Sequence, residues 1–159
     1  MADTIKVALI GCGRIAGHHC QSITATEGVS IAAVCDLDAE KADAYGKQFD
    51  VPAYQDYRQM FEAGPDIDIA AIITPSGMHL EHTLEIINDF GKHAIVEKPT
   101  FMRPSQMETA FASAEKAGKR IFPVFQNRYN KAVSRVRQAF QNGELGDIRT
   151  VSVKLRWCR

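Results

Sequence analysis

Residues 5–16 run Ile-Lys-Val-Ala-Leu-Ile-Gly-Cys-Gly-Arg-Ile-Ala, an apolar stretch that breaks at Gly11 into Gly-x-Gly-x-x-Ala and continues in helix-compatible residues. No other feature restricts the fold as much, because a buried strand that leaves its sheet through two glycines into a helix opens a βαβ unit. Gly11 permits the tight turn out of the strand, and Gly13 lets the backbone approach a pyrophosphate with no Cβ in the way. The small Ala16 lets the helix pack close to the strand. Unpaired N–H groups and the positive dipole end of that helix then face the phosphates, with Arg14 and Ile15 in the turn itself. A second strand-like run, from Val29 to Cys35, ends in Asp36, 23 positions after Gly13. A carboxylate there accepts both ribose hydroxyls of NAD, and its charge repels the extra phosphate of NADP. No Arg or Lys directly follows Asp36, and Arg14 is the nearest group able to reach toward such a phosphate.

The alternation of strand and helix continues beyond this unit. Residues 38–48 are charged and Ala-rich and predict a surface helix, and residues 55–63 predict a shorter one. The run 67–73 is apolar enough to be covered on both faces, as parallel strands are. Leu80, Leu84 and Ile87 then mark one helical face before Gly91 stops the helix. Residues 93–96 read as a short strand, 104–117 as a helix with Pro near its start and Gly118 at its end, and 121–125 as another strand. Regular βα units predict a parallel, doubly wound sheet with its ligand at the carboxyl ends of the strands. By that rule the turn at Gly11 to Ile15, Asp36, Thr74 with Pro75, Glu97 with Lys98, and Gln126 with Arg128 share one edge and form the candidate site, with NAD as the expected cofactor.

Composition narrows the class of partner. With 159 residues, 45% hydrophobic content and 19 basic against 19 acidic side chains, the chain suits one soluble domain with no electrostatic attraction to nucleic acid. No apolar stretch approaches membrane-spanning length, and the first residues lack the basic start of a secretory signal, so a cytoplasmic location is expected. Cys12, Cys20, Cys35 and Cys158 have no paired spacing of the zinc or redox kind and read as free thiols, mostly buried, although oxidation or a heavy-metal reagent at Cys12 would block the turn. The pairs His18 with His19 and His79 with His82 invite a metal reading, but no matching Cys or carboxylate cluster accompanies them and no metal is expected. His79 is placed instead on the nucleotide side of the cleft, and His82 at the surface or in packing.

Taken in order, Gly-Cys-Gly-Arg-Ile-Ala, Val-Cys-Asp, Thr-Pro-Ser-Gly-Met-His-Leu-Glu, Gly-Lys-His-Ala-Ile-Val-Glu-Lys-Pro and Gln-Asn-Arg-Tyr-Asn resemble the Gfo/Idh/MocA family of NAD(P)-dependent oxidoreductases over essentially the whole chain. The Glu-Lys-Pro element is the most discriminating piece. The resemblance implies that Lys98 lies beside the nicotinamide and hydrogen-bonds the reacting hydroxyl or carbonyl. It implies too that Glu97 shapes the floor of the site, and that Pro99 fixes the lysine's direction, as a cis proline in many members. Within the family the Thr-Pro-Ser-Gly-Met-His and Gln-Asn-Arg segments look most like those of UDP-N-acetylglucosaminuronate 3-dehydrogenases. The implied activity is oxidation of a secondary hydroxyl of a sugar, nucleotide-sugar or cyclitol. Two alternatives stay open, an NAD-dependent glycoside hydrolase of the same family and an NAD-binding module without catalysis.

The last residues pose a different problem. After an expected helix at 131–141 and a turn at 143–146, Val151, Val153, Leu155 and Trp157 alternate with polar residues, which predicts a strand of an antiparallel sheet with one wet face. One strand cannot make such a sheet, and no earlier segment shares the alternation. The expectation is a Rossmann domain over 1–128, followed over 129–159 by a linker helix and the first strand of a truncated antiparallel α/β domain. In the resembled family that second domain supplies a catalytic His, substrate contacts and usually the oligomer interface, so the full-length protein is expected to be a homo-oligomer and this portion alone to be inactive.

Overall fold

The computed structural model describes residues 4–154 and 156. The chain divides into two compact units, Met1–Val124 and Phe125–Arg159. The first alternates β1 (Ile5–Ile10), α1 (Ala16–Thr24), β2 (Val29–Cys35), α2 (Ala39–Phe49), β3 (Ala53–Tyr54), α3 (Tyr57–Ala63), β4 (Ile69–Ile72), α4 (His79–Asn88), β5 (His93–Val96), α5 (Pro104–Lys116) and β6 (Ile121–Pro123). All the strand pairs are parallel, in the order β3-β2-β1-β4-β5-β6. The order reverses at β1, and the crevice outside the carboxyl ends of β1 and β4 is where an open α/β sheet binds its ligand.

Both faces of the sheet are covered, which is why the strands read as near-continuous apolar runs. In β1 the alternate residues Val7 and Leu9 join a core with Cys20 and Ile23 of α1 and with Tyr45 and Phe49 of α2. Ala8 and Ile10 point the other way, into a core with Met60 of α3, Ile86 of α4 and Ala110 of α5. Helix starts follow their caps. Asp38 accepts from the N–H groups of Glu40 and Lys41, and Asp56 accepts from that of Arg58 at 2.8 Å. These caps move α2 and α3 to begin after 38 and 56 respectively, and the second leaves room for the two-residue β3, too short to show a period.

Two expectations need correction. Along α4 the fully buried side chains are His79, His82, Thr83, Ile86 and Ile87, while Leu80 and Leu84 are half-buried. The buried stripe is rotated from the apolar one because both histidines find polar partners inside, and a bonded polar group is tolerated in a core. Among the described residues of 150–157 no strand forms. The described residues 150–154 and 156 have no regular structure, Val151 and Val153 are 70% and 83% exposed, and Leu155 and Trp157 lie outside the described residues. A strand is held by a partner's ladder, and among the described residues nothing offers one there.

The second unit holds α6 (Lys131–Gln141), capped by the Asn130 side chain on the N–H of Ala132 at 3.0 Å. A 3₁₀ turn, Gln126–Tyr129, precedes the helix, and an Arg135–Glu144 ion pair at 2.8 Å ties its middle to the turn that follows.

Candidate functional site

The carboxyl edge of the sheet is built from the loops after β1, β2, β4 and β5. Gly11 has φ +104°, and a Cβ built on it would lie 2.9 Å from the backbone carbon and oxygen of Ile73, so both conformation and space demand glycine. Gly13 differs: a Cβ there meets nothing within 4 Å and would project into open space. The N–H groups of Gly13, Arg14 and Ile15 donate to no acceptor among the described residues. Three free amides at the start of α1, beside a Cα with room in front of it, suit the phosphates of a dinucleotide.

Asp36 locks this turn to β2. One carboxylate oxygen accepts the N–H of Cys12 at 2.7 Å and the other accepts that of Asp38 at 2.9 Å. A carboxylate has about four acceptor positions, so lone pairs remain on each oxygen for a pair of ribose hydroxyls. Together with Gly11, Gly13, Thr74 and Pro75, Asp36 lines a cavity of about 620 Å³. The cavity also takes in Leu37, Gln55, Tyr57, Arg58, Met78 and His82, which sequence reasoning missed. The signal was β3, whose carboxyl end delivers Gln55 and the start of α3 to the same edge.

His82, expected at the surface or in packing, is buried with its Nδ1 3.0 Å from the hydroxyl of Thr74 and its ring 5.0 Å from that of Tyr57. Burial holds its pKa below the ordinary histidine value. His79, expected on the nucleotide side of the cleft, is 1% exposed and does not line the cavity. Its Nε2 lies 2.8 Å from the carbonyl oxygen of Thr74, and its Nδ1 2.9 Å from that of Pro99 and 3.2 Å from that of Thr100. The ring therefore stands between the loop after β4 and the loop after β5, with a nitrogen within hydrogen-bond distance of a carbonyl on each side and one N–H to donate.

The Glu-Lys-Pro element follows β5 directly. Glu97 is buried, and both of its oxygens are engaged: one with His19 Nε2 on α1 at 2.9 Å, the other accepting the backbone N–H of Lys98 at 2.8 Å. Glu97 is thus a brace between α1 and the loop, while Lys98 is exposed and the Lys98–Pro99 bond is cis. His19, whose type and neighbour His18 suggest a metal ligand, stands one helical turn behind the glycine turn, and that spacing sets it against Glu97. Arg14 is exposed and Ile15 half-buried, in the turn before α1. Gln126 and Arg128 are exposed within the second unit, where the guanidinium carbon of Arg128 sits 5.3 Å from the ring centre of Phe125.

Cys12, Cys20 and Cys35 are buried free thiols, and Cys158 lies outside the described residues. Burial pushes the pKa of Cys12 up to about 12, with the Asp36 carboxylate adding to it, so its thiol beside the turn is protonated and poorly nucleophilic. Among the described residues no three His, Cys, Asp or Glu side chains are placed to hold one metal ion. No helix among them is long and apolar enough to cross a membrane.

Comparison with known proteins agrees with this geometry. Residues 5–125 match the Gfo/Idh/MocA model, described as an oxidoreductase family with an NAD-binding Rossmann fold. D-glucoside 3-dehydrogenase of Escherichia coli K12 is 29% identical over 159 residues, covering 99% of this chain and 45% of that protein. Inositol 2-dehydrogenase of Salmonella paratyphi B is 26% identical over 147 residues, covering 90% and 43%. The crystal structure of the WlbA dehydrogenase from Bordetella pertussis with NADH and UDP-GlcNAcA superimposes with a TM-score of 0.83 at 28% identity, over 90% of this chain and 43% of that one. The chain therefore spans less than half the length of these relatives. With the family model matching residues 5–125 and the sheet ordered 3-2-1-4-5-6, the chain belongs to the Gfo/Idh/MocA oxidoreductase family and carries that family's NAD-binding Rossmann fold.

Proposed function

We propose that this chain is the cofactor-binding portion of a dehydrogenase that oxidises a secondary hydroxyl of a sugar, nucleotide-sugar or cyclitol, with Lys98 as its catalytic residue. The observation that carries the reading is the position of Lys98. It stands immediately after β5 on the same carboxyl edge as Gly11 and Asp36, with its backbone N–H fixed by a buried carboxylate. Gly11, Gly13, Arg14 and Ile15 form the phosphate turn, Asp36 takes the adenosine ribose, and Thr74 with Pro75 closes the other side. Bound NAD supplies the hydride acceptor. Lys98 hydrogen-bonds the substrate oxygen and steadies its proton, and Glu97, held by His19, keeps the lysine's backbone still. The substrate class follows the relatives, named for a glucoside, inositol and, in the crystal structure, a bound UDP-sugar acid.

The test uses the protein extended to the length of its relatives, assayed for NAD reduction against a panel of glucosides, inositols and UDP-sugars. Lys98→Ala is expected to lower turnover by about a hundredfold while changing the NAD dissociation constant less than about threefold. Turnover retained in that variant overturns the assignment.

A further inference from the structure

The cavity that ends at Asp36 has a cation in its wall, and that cation is already occupied. Arg58 is the one Arg or Lys lining it among the described residues. Its guanidinium forks onto Glu85 of α4: Nε donates to one carboxylate oxygen and Nη2 donates to the other, the second at 2.9 Å. Tyr57 donates its hydroxyl to the same carboxylate, and the guanidinium carbon lies 5.1 Å from the Tyr57 ring centre. The Glu85 side chain is only 14% exposed. Two-pronged pairs of this kind are stronger than single contacts such as Lys41 with Asp38, and although Arg58 is half exposed the carboxylate it holds is not.

We propose that Glu85 is a cofactor-selecting residue: by holding Arg58 it withholds the cavity's cation from a phosphate on the adenosine ribose, and so disfavours NADP. The inference rests on the reading that the adenosine half of the cofactor lies in this cavity at Asp36. An NADP site needs an arginine free to meet a nearly dianionic 2′-phosphate. Here the wall offers Asp36 and Glu81 as anions and a guanidinium whose charge Glu85 cancels. Recruiting Arg58 would strip Glu85 of its partner in a mostly buried place, which is costly. Discrimination is thus shared between Asp36, which repels the phosphate, and Glu85, 49 positions further on, which removes its counter-ion.

Calorimetric titration of the 159-residue chain with NAD and with NADP tests this. Glu85→Gln keeps one acceptor oxygen, puts a donor amide in place of the other and removes the charge, so it releases Arg58 and is expected to raise NADP affinity relative to NAD by about tenfold. Adding Arg58→Met to that variant should abolish the gain. If Glu85→Gln fails to fold, Arg58→Gln alone carries the test, since it unmasks Glu85 and should weaken NADP further by about threefold. A ratio unchanged in both Glu85→Gln and Arg58→Gln overturns the inference while leaving the cofactor reading intact. Failure of the parent chain to bind NAD overturns both.

Discussion

The two glycines of the turn should fail in different ways when each becomes alanine. At Gly11 the φ of +104° is outside the range an L-residue adopts without strain, which costs about 1–3 kcal/mol. The new Cβ would stand 2.9 Å from the backbone of Ile73, at the end of a buried strand that cannot retreat, adding overpacking of about 1–3 kcal/mol. Gly11→Ala should therefore lose ~2–6 kcal/mol of stability, lowering Tm by ~4–24 °C in a chain of this size. At Gly13 a Cβ meets no protein atom within 4 Å and the φ is not positive, so alanine should stabilise the apo fold by about 0.4–1 kcal/mol through the unfolded chain. The same methyl occupies the space in front of the free amides, and NAD affinity should fall by about tenfold or more, ~1.4 kcal/mol. Thermal unfolding with and without NAD separates the two. In the parent chain, NAD at about 100 times its dissociation constant adds ~2.7 kcal/mol, and Gly13→Ala should lose about half of that increment from a baseline no lower than the parent's. A Gly13→Ala chain as unstable as Gly11→Ala, or one keeping the whole NAD increment, would refute the assignment of that open space to the phosphates.

Other consequences are more local. Because the Cys12 pKa is pushed up to about 12, only about one thiol in 10⁴ is ionised at pH 8, and native Cys12 should alkylate far more slowly than in the unfolded chain; rapid loss of NAD binding under iodoacetamide would contradict this. Cys12 and Cys35, both raised from 9.0 to about 12 by burial, favour the fold fully below pH 9, and that contribution should drain away between pH 9 and pH 12 in urea titrations; a flat profile there would count against their burial. His82, held below its ordinary value by burial, acts on the acid side. It contributes stability above about pH 6.5 that is lost as pH falls through its folded pKa, and His82→Gln should flatten that part of the profile. His79→Ala removes the ring that stands between the carbonyl oxygens of Thr74, Pro99 and Thr100 and leaves a void there, for a loss of ~2–4 kcal/mol in urea unfolding; a loss under ~1 kcal/mol would mean the ring is no tie at all.

The alternation of strands with helices, and the delivery of Gly11, Asp36 and Thr74 to one edge, were legible because parallel strands buried on both faces write themselves as apolar runs, and the glycines mark where the chain must turn. Ile5 to Ile10 and the run ending at Cys35 declared themselves in that way. What escaped had no period to show. β3 is two residues long, yet it delivers Gln55, Tyr57 and Arg58 to the cavity wall, and a two-residue strand is defined only by the neighbour it pairs with. Among the described residues of the stretch 150–157 the expected strand is absent, since alternation describes a face that could be buried and says nothing about whether a partner is present to bury it.

The histidines mark a sharper boundary. Type and spacing alone leave a histidine open to metal, catalysis or packing, and the choice is made by what stands opposite its ring nitrogens. His19 finds Glu97 and braces the Lys98 loop against α1; His79 finds three carbonyls and binds two loops together; His82 finds Thr74 and Tyr57 and becomes cavity wall. Each of those partners is distant in sequence or belongs to backbone leaving a strand, so no local pattern encodes the pairing. The same holds for Arg58 and Glu85, 27 residues apart, whose charges meet only once the fold has brought α3 and α4 within side-chain reach. A motif can therefore place the phosphates and the ribose, whereas the choice among cofactors that differ by one phosphate depends on which charges the finished fold has already spent on each other.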